Sequence, residues 1–305
     1  MTTPPHIDPS AQLWLAATPV EPLRKEPCHE SEMVDQVLGG MLAVQSGPLA
    51  APSPEETWVP VVAPNGYQGW LRSWVLRTVA PDDPWCRSAG CAAGVLWTGA
   101  ASAAGPRWFP MGMRCLKNGD RLRTPWNDEV RGGPGSWPSA AVPFAGGFYG
   151  PPERGSAATP GGVALYEILR RAAARAAAWI DIPYLWGGVT PGGVDCSGFV
   201  HLCLGLEGLL IPRDAGDQCR WFRERDWASP GPAEPGSSGL AFIGAAPDRI
   251  THAGFLTAGG MLLHASGRVL CESLDPDVNP RAARWRERTH WVVTPGSRPG
   301  NHASD

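Results

Sequence analysis

Three side chains in this sequence combine into a recognisable chemistry: Cys196, His252 and His264. Cys196 lies in GGVDCSGFVHLCLGLEG, residues 192–208, directly after a glycine-rich turn. The apolar run that follows predicts a helix over about Cys196–Glu207, with the cysteine at its first position. A thiol there meets unpaired N–H groups and the positive end of the helix dipole, and both favour thiolate. The same N–H groups can cradle the oxyanion formed when a thiolate attacks a carbonyl. Position alone fits a small core residue equally well, so the histidines carry the decision.

His252 and His264 lie in THAGFLTAGGMLLHASG. The AGG at 258–260 predicts a hairpin turn between two apolar strands. Both histidines are equidistant from Ala258, so a symmetric hairpin sets them opposite each other on one face. His264 would then fix the tautomer of His252 and support its imidazolium, a role often filled by Asp or Asn. A cysteine with an oriented histidine is the nucleophile–base pair of a thiol hydrolase. Zinc would accept the same three residues, but no fourth ligand presents itself, and a cysteine at a helix start favours nucleophilic use. No metal or cofactor is expected.

The surrounding chain must hold these residues in place. Its 305 residues predict two or three domains. With 26 Lys and Arg against 29 Asp and Glu, nothing is basic enough for nucleic acid or an anionic membrane. Abundant Gly, Pro and Trp point to small β-modules with many turns. Short apolar stretches over 11–80, broken by Pro-Asn-Gly at 64–66, predict a first such module. ESEMVDQVLGG fits either a helix or a strand. Residues 81–90 read as a linker, 85–150 as a second β-module by its order in the chain, and 145–162 as a Pro/Gly/Ser-rich connection. The third domain, 160–295, starts with the alanine-rich helix VALYEILRRAAARAAAWI, apolar at Leu165, Ile168, Leu169 and Ala172. The helix of Cys196 follows, then a loop containing IPRDAGDQCRWF, then the strands LAFIGA, THAGFLTAGG, MLLHASG, VLCESL and THWVVTP. The layout is α+β: helices packed on an antiparallel sheet. The N-terminus has neither a basic region nor an apolar core of a signal peptide, so a cytoplasmic protein with reduced thiols is expected.

PYLWGGVTPGGVDCSGFV, IPRDAGDQ, ITHAGF and LLHASG, in this order, resemble the NlpC/P60 cysteine peptidases. These are papain-like enzymes that cut bacterial cell-wall peptides. The resemblance covers about residues 160–295 and implies Cys196 as nucleophile, His252 as base and His264 as its partner. It places Tyr184 of the P-Y-x-W-G-G loop near the oxyanion, and Trp186 of that loop against substrate. Two SH3-like modules ahead of such a domain resemble the γ-D-glutamyl-L-diamino acid endopeptidases. These release L-Ala-γ-D-Glu from murein peptides with a free N-terminal alanine. That resemblance implies that Glu32 of SEM and Tyr67 of GYQGW reach the active site, with Asp214 of PRD, around the free amine. Carboxylates suit an ammonium. Asp195 and Ser197 flank the nucleophile and would hold substrate backbone or the D-Glu carboxylate. Arg213 fits either a substrate carboxylate or a structural ion pair. The relatives read Arg-Asp-Ser where this chain has Arg213-Asp214-Ala215, which removes one substrate hydroxyl contact. Trp70 and Trp74 are expected to pack rather than to stack on sugars.

Overall fold

The structure is a computed structural model that describes residues 11–53, 56–80, 82–87, 91–92, 97–102, 105–110, 112–118, 121–130, 162–232, 237–257 and 259–294. The chain divides into two compact units, Met1–Pro151 and Pro152–Asp305. Among the described residues no helix is long and apolar enough to cross a membrane.

The first unit is built from sheets, as its turn-rich sequence requires. Residues 13–79 form an eight-stranded antiparallel arrangement around Leu23, Val37, Val59, Val61 and Leu71. The undecided segment ESEMVDQVLGG contributes the strand Met33–Leu38. Its alternation buries Asp35 and Val37, and Leu38 is buried at the strand end. The turn at 64–66 forms: the Gly66 N–H donates to the Ala63 carbonyl, and Gly66 takes φ +83°, a backbone state open to glycine. The segment read as a linker is not only a connection. Pro84–Arg87 is a helical turn, and Trp85 is buried with Leu15, Val79 and Leu116. The apolar payload of Trp85 outweighs the turn chemistry around it. Trp74, expected to pack, is 65 % exposed, with the Arg72 guanidinium 4.9 Å from its ring centre. The rest of the second β-module is represented by short strands from Cys91–Ala92 to Glu129–Val130, and residues 131–161 lie outside the described residues.

The second unit is the expected α+β layer. The alanine-rich helix is Gly162–Ala176, and Leu165, Leu169, Ala172 and Ala176 form its buried stripe. The nucleophile helix is Cys196–Leu206. The two helices are tied by Arg171 and Arg175, which reach Glu207 at 2.8 Å each. Behind them lies a six-stranded sheet in the order Ser229–Pro230, Thr289–Val293, Gly239–Ala246, Arg249–Thr257, Met261–Ser266, Arg268–Ser273. Every pairing in it is antiparallel. Phe199 of the nucleophile helix meets Phe255 of the sheet edge-on, ring centres 5.7 Å apart. That contact sets the helix on the sheet and so sets the height of Cys196.

Two helices were not expected. IPRDAGDQCRWF is not a loop: Ala215–Arg223 is a helix. Its buried positions Ala215, Gln218, Cys219 and Phe222 follow helical spacing, but a buried glutamine interrupts the apolar pattern. Ala282–Arg288 is the second, with Trp285 as its largest buried side chain.

Candidate active site

Cys196 is the first residue of its helix, and Asp195 is the N-cap. The Asp195 carboxylate accepts from the Gly198 N–H at 2.7 Å, as an N-cap should. It also accepts from the Gly187 N–H at 2.8 Å and from Arg213 Nη1 and Nη2 at 2.9 and 2.6 Å. The Ser197 hydroxyl donates to the same carboxylate and accepts from Arg213. Asp195, Ser197 and Arg213 are all buried. Their polar atoms are therefore engaged with one another, and the Asp195 carboxylate locks the 184–187 loop to the start of the nucleophile helix. Of the two fits open to Arg213, the structure shows the ion pair.

Gln218 adds a second clamp. Its Nε2 donates to the carbonyls of Ser197 at 2.9 Å, Pro212 at 3.0 Å and Arg213 at 3.2 Å. The helix at 215–223, missed in the sequence, thus holds the 212–213 segment against the nucleophile helix. Gly198 is required by close approach: a Cβ there would lie 2.4 Å from the Gly188 carbonyl oxygen.

The sulfur of Cys196 lies against the strand that carries His252. Sγ donates to the Thr251 carbonyl at 3.9 Å, and the backbone N–H groups of Ala253 and Ser197 favour its thiolate. Burial pushes the thiol up to about 11, with Asp195 adding to the rise and the two N–H donors opposing it. Burial and His264 push His252 down to about 3. Both groups therefore rest neutral. In a thiolate–imidazolium pair each charge would compensate the other.

His252 Nε2 lies 2.7 Å from His264 Nδ1. The partnership expected from the hairpin is present, but its register is different. Thr257 pairs with Met261, Leu256 with Leu262 and Phe255 with Leu263, so the hairpin is centred on Gly259 and not on Ala258. The histidines are diagonal neighbours instead of opposite ones. An offset of two residues keeps them on one sheet face, which is why they still meet. His264 is fully buried, and its Nε2 lies 3.1 Å from Glu272 Oε2. Trp285 stacks on His252 at 5.2 Å and donates its indole N–H to the same Glu272 oxygen at 3.0 Å. Glu272 and Trp285 were not legible as site residues.

Tyr184 is half-buried, and its N–H donates to the Gly267 carbonyl. Burial, with Cys196 as the next contributor, pushes its hydroxyl up to about 12, so it stays protonated and able to donate. Trp186, on the same loop, is 58 % exposed. Asp214 is exposed at the N-cap of the 215–223 helix, where its side chain makes no capping hydrogen bond. Glu32 and Tyr67 belong to the first unit. There Glu32 pairs with Lys25 at 3.2 Å, and Tyr67 packs against the module core. No group of three or more His, Cys, Asp or Glu among the described residues could hold a metal ion.

The depressed histidine makes a stability prediction. Unfolded, the His252 imidazole takes its proton near 6.5, but folded it stays neutral to about 3. Between those values the unfolded state binds the extra proton. Stability is complete above the unfolded value and is lost as pH falls toward the folded one. From His252 alone the loss at about pH 5 is roughly 2 kcal/mol. His264 is lowered as well and acts in the same direction. Urea melts from about pH 7.5 down to pH 5 should show the decline, with a shallower slope in His252→Gln. Equal slopes would place the acid lability elsewhere.

Residues 181–288 match the NlpC/P60 family. That segment, which holds Cys196, His252 and His264, is thus similar to an NlpC/P60 domain. The chain is 38 % identical over 91 residues to the gamma-D-glutamyl-L-lysine dipeptidyl-peptidase of Bacillus subtilis (strain 168), covering 28 % of each chain. It is 34 % identical over 117 residues to the peptidoglycan endopeptidase RipB of Mycobacterium tuberculosis (strain H37Rv), covering 34 % of this chain and 44 % of that one. The chain thus spans less than half the length of these relatives. The crystal structure of an NlpC/P60 family protein from Bacillus cereus ATCC 10987 superposes with a TM-score of 0.64, covering 92 % of this chain and 98 % of that one at 14 % identity. At that identity the likeness concerns the fold.

Proposed function

We propose that the protein is a cysteine peptidase that hydrolyses the γ-D-glutamyl–L-diamino acid bond of free cell-wall peptides with an unblocked N-terminal L-alanine. The observation that carries this reading is Cys196 at a helix start, set against the strand of a His252–His264 pair. The name of the Bacillus subtilis relative supports the bond assigned. Cys196 Sγ attacks the γ-carbonyl and its proton passes to His252. Backbone N–H groups at the helix start and the Tyr184 hydroxyl stabilise the oxyanion. His252 gives the proton to the departing amine, and the thioester is then hydrolysed by water activated at the same imidazole.

Asp214, exposed beside this site, suits the substrate ammonium, and Trp186 offers an apolar wall. Asp195 and Ser197 serve substrate through the loop and helix that they hold. The two β-modules at the front are read as SH3-like, and the setting as cytoplasmic recycling of wall peptides.

The test is mass spectrometry of products from L-Ala-γ-D-Glu-meso-diaminopimelate beside its N-acetylated form. Release of L-Ala-γ-D-Glu from the free-amine peptide only is expected. Equal cleavage of both would overturn amine recognition, and cleavage of neither would overturn the substrate. Asp214→Asn, Glu32→Gln and Tyr67→Phe, assayed on the same pair, test the parts assigned to those side chains. Recovery of the protein from a wall fraction would overturn the cytoplasmic setting.

A further inference from the structure

The catalytic reading uses two histidines, yet the hydrogen-bonded chain does not end at His264. Glu272 stands on the strand Arg268–Ser273, where it pairs with Leu262 while Leu270 pairs with His264. Glu272 is thus the diagonal neighbour of His264, as His264 is of His252. Three adjacent strands present His252, His264 and Glu272 as one staggered line, with contacts of 2.7 and 3.1 Å. The glutamate is held from the helix side too. The Trp285 indole N–H, which can only donate, meets Oε2 at 3.0 Å, and Arg281 lies 3.4 Å from Oε1. The rings of His252 and His264 both pack on Trp285, at 5.2 and 4.8 Å.

We propose that Glu272 is a positioning residue of this site: through His264 its carboxylate fixes both imidazoles as Nε2–H tautomers and leaves Nδ1 of His252 as the base. A carboxylate beside Arg281 and an indole N–H accepts only, so the His264 Nε2 facing it must carry hydrogen. A neutral imidazole then has Nδ1 as acceptor, so His252 Nε2 must donate to it. The one basic lone pair left on His252 is on Nδ1. When Nδ1 takes the Cys196 proton, the S–H bond breaks, an N–H bond forms, and the chain carries one positive and one negative charge. The proton need not travel to Glu272. The other charged groups acting on His252 are Arg288, which opposes the imidazolium, and Asp195, which favours it. Arg281 also opposes a charge on His264.

The inference rests on Cys196 and His252 as nucleophile and base, and not on the identity of the peptide. Its test therefore uses two readouts on the full chain that need no substrate. One is the histidine ¹⁵N–¹H spectrum, which reports tautomers. The other is the pH dependence of Cys196 alkylation by iodoacetamide, followed at that residue by peptide mass spectrometry. Wild type should show His252 and His264 as Nε2–H tautomers. Glu272→Gln can still accept from His264 and Trp285 but has no charge. It should keep the tautomers and move the imidazole limb of the alkylation profile to lower pH, by about one unit. Glu272→Leu should release the tautomers. On a peptide that is cleaved, it should lower kcat on the order of 100-fold with KM unchanged. An Nδ1–H tautomer of His252 in wild type would overturn the proposal, as would unchanged tautomers in Glu272→Leu. If the leucine variant fails to fold, an unmoved limb in Glu272→Gln overturns it alone. The expected alkylation profile with no peptide cleaved would sink the substrate assignment and leave this inference standing.

Discussion

Cys196→Ala removes peptide turnover and leaves the fold in place. The expected loss is on the order of a thousandfold or more, because no other group at the helix start can form the thioester. The neighbouring Ser197 hydroxyl is held between Asp195 and Arg213. It cannot substitute as nucleophile without leaving both. The structural effect should be small. The substitution deletes one sulfur from a buried first-turn position and replaces cysteine by a better helix former. A change in unfolding free energy of about 1 kcal/mol or less is expected. His252→Ala should remove turnover as well, but less cleanly. It leaves His264 Nδ1 without its partner in a buried site, which costs about 1–3 kcal/mol. The pair is separated by measuring product formation and urea stability on the same samples. Residual cleavage by Cys196→Ala within tenfold of wild type would remove the nucleophile from Cys196 and with it the proposed reaction.

What the sequence disclosed about this site follows from how local the cause was. The start of the nucleophile helix was legible because a glycine-rich turn and an apolar run lie within a few residues of one another. The sheet strands were legible for the same reason. The histidine pair was legible by face but not by register. Glycines 259 and 260 both take positive φ, +94° and +72°, and the turn they make is centred one residue later than Ala258. Because faces repeat every two residues, the pairing partner changed while the face did not.

Glu272 shows the opposite case. In VLCESL it looks like any polar position on a half-exposed strand. Its meaning comes from His264 one strand away and from Trp285 on a later helix. That helix, AARWRER, has a single large apolar residue and so no stripe to reveal it. Gln218 was hidden likewise: its role is to bind three carbonyls that converge only when the chain is folded. The roles that the family resemblance gave to Asp195 and Ser197 met a physical obstacle, since a buried carboxylate with donors on both oxygens has little left for substrate.

The second large effect concerns that carboxylate. Arg213→Met should destabilise the protein by about 3–5 kcal/mol, the cost of leaving one member of a buried ion pair alone. Both partners are almost out of water, and the guanidinium makes two contacts to the carboxylate, at 2.9 and 2.6 Å. The chemistry should suffer separately. Arg213 lowers the thiol pKa and Asp195 raises it by more, so the arginine offsets only part of the carboxylate's effect at Cys196. Removing the arginine leaves an uncompensated negative charge beside the nucleophile, which drives the thiol further up and slows its alkylation. Asp195→Ser retains an N-capping oxygen but leaves the arginine buried alone, so it should be comparably destabilising. The double variant Asp195→Ser with Arg213→Met should recover part of the stability, because neither charge is left without a partner. It should not recover activity. The Gly187 N–H would lose the carboxylate oxygen that ties the 184–187 loop, and with it the segment of Tyr184, to the helix. Urea unfolding of the four proteins measures the coupling. Additive losses would mean that Asp195 and Arg213 act independently, and the ion pair would then not be what holds the loop on the nucleophile.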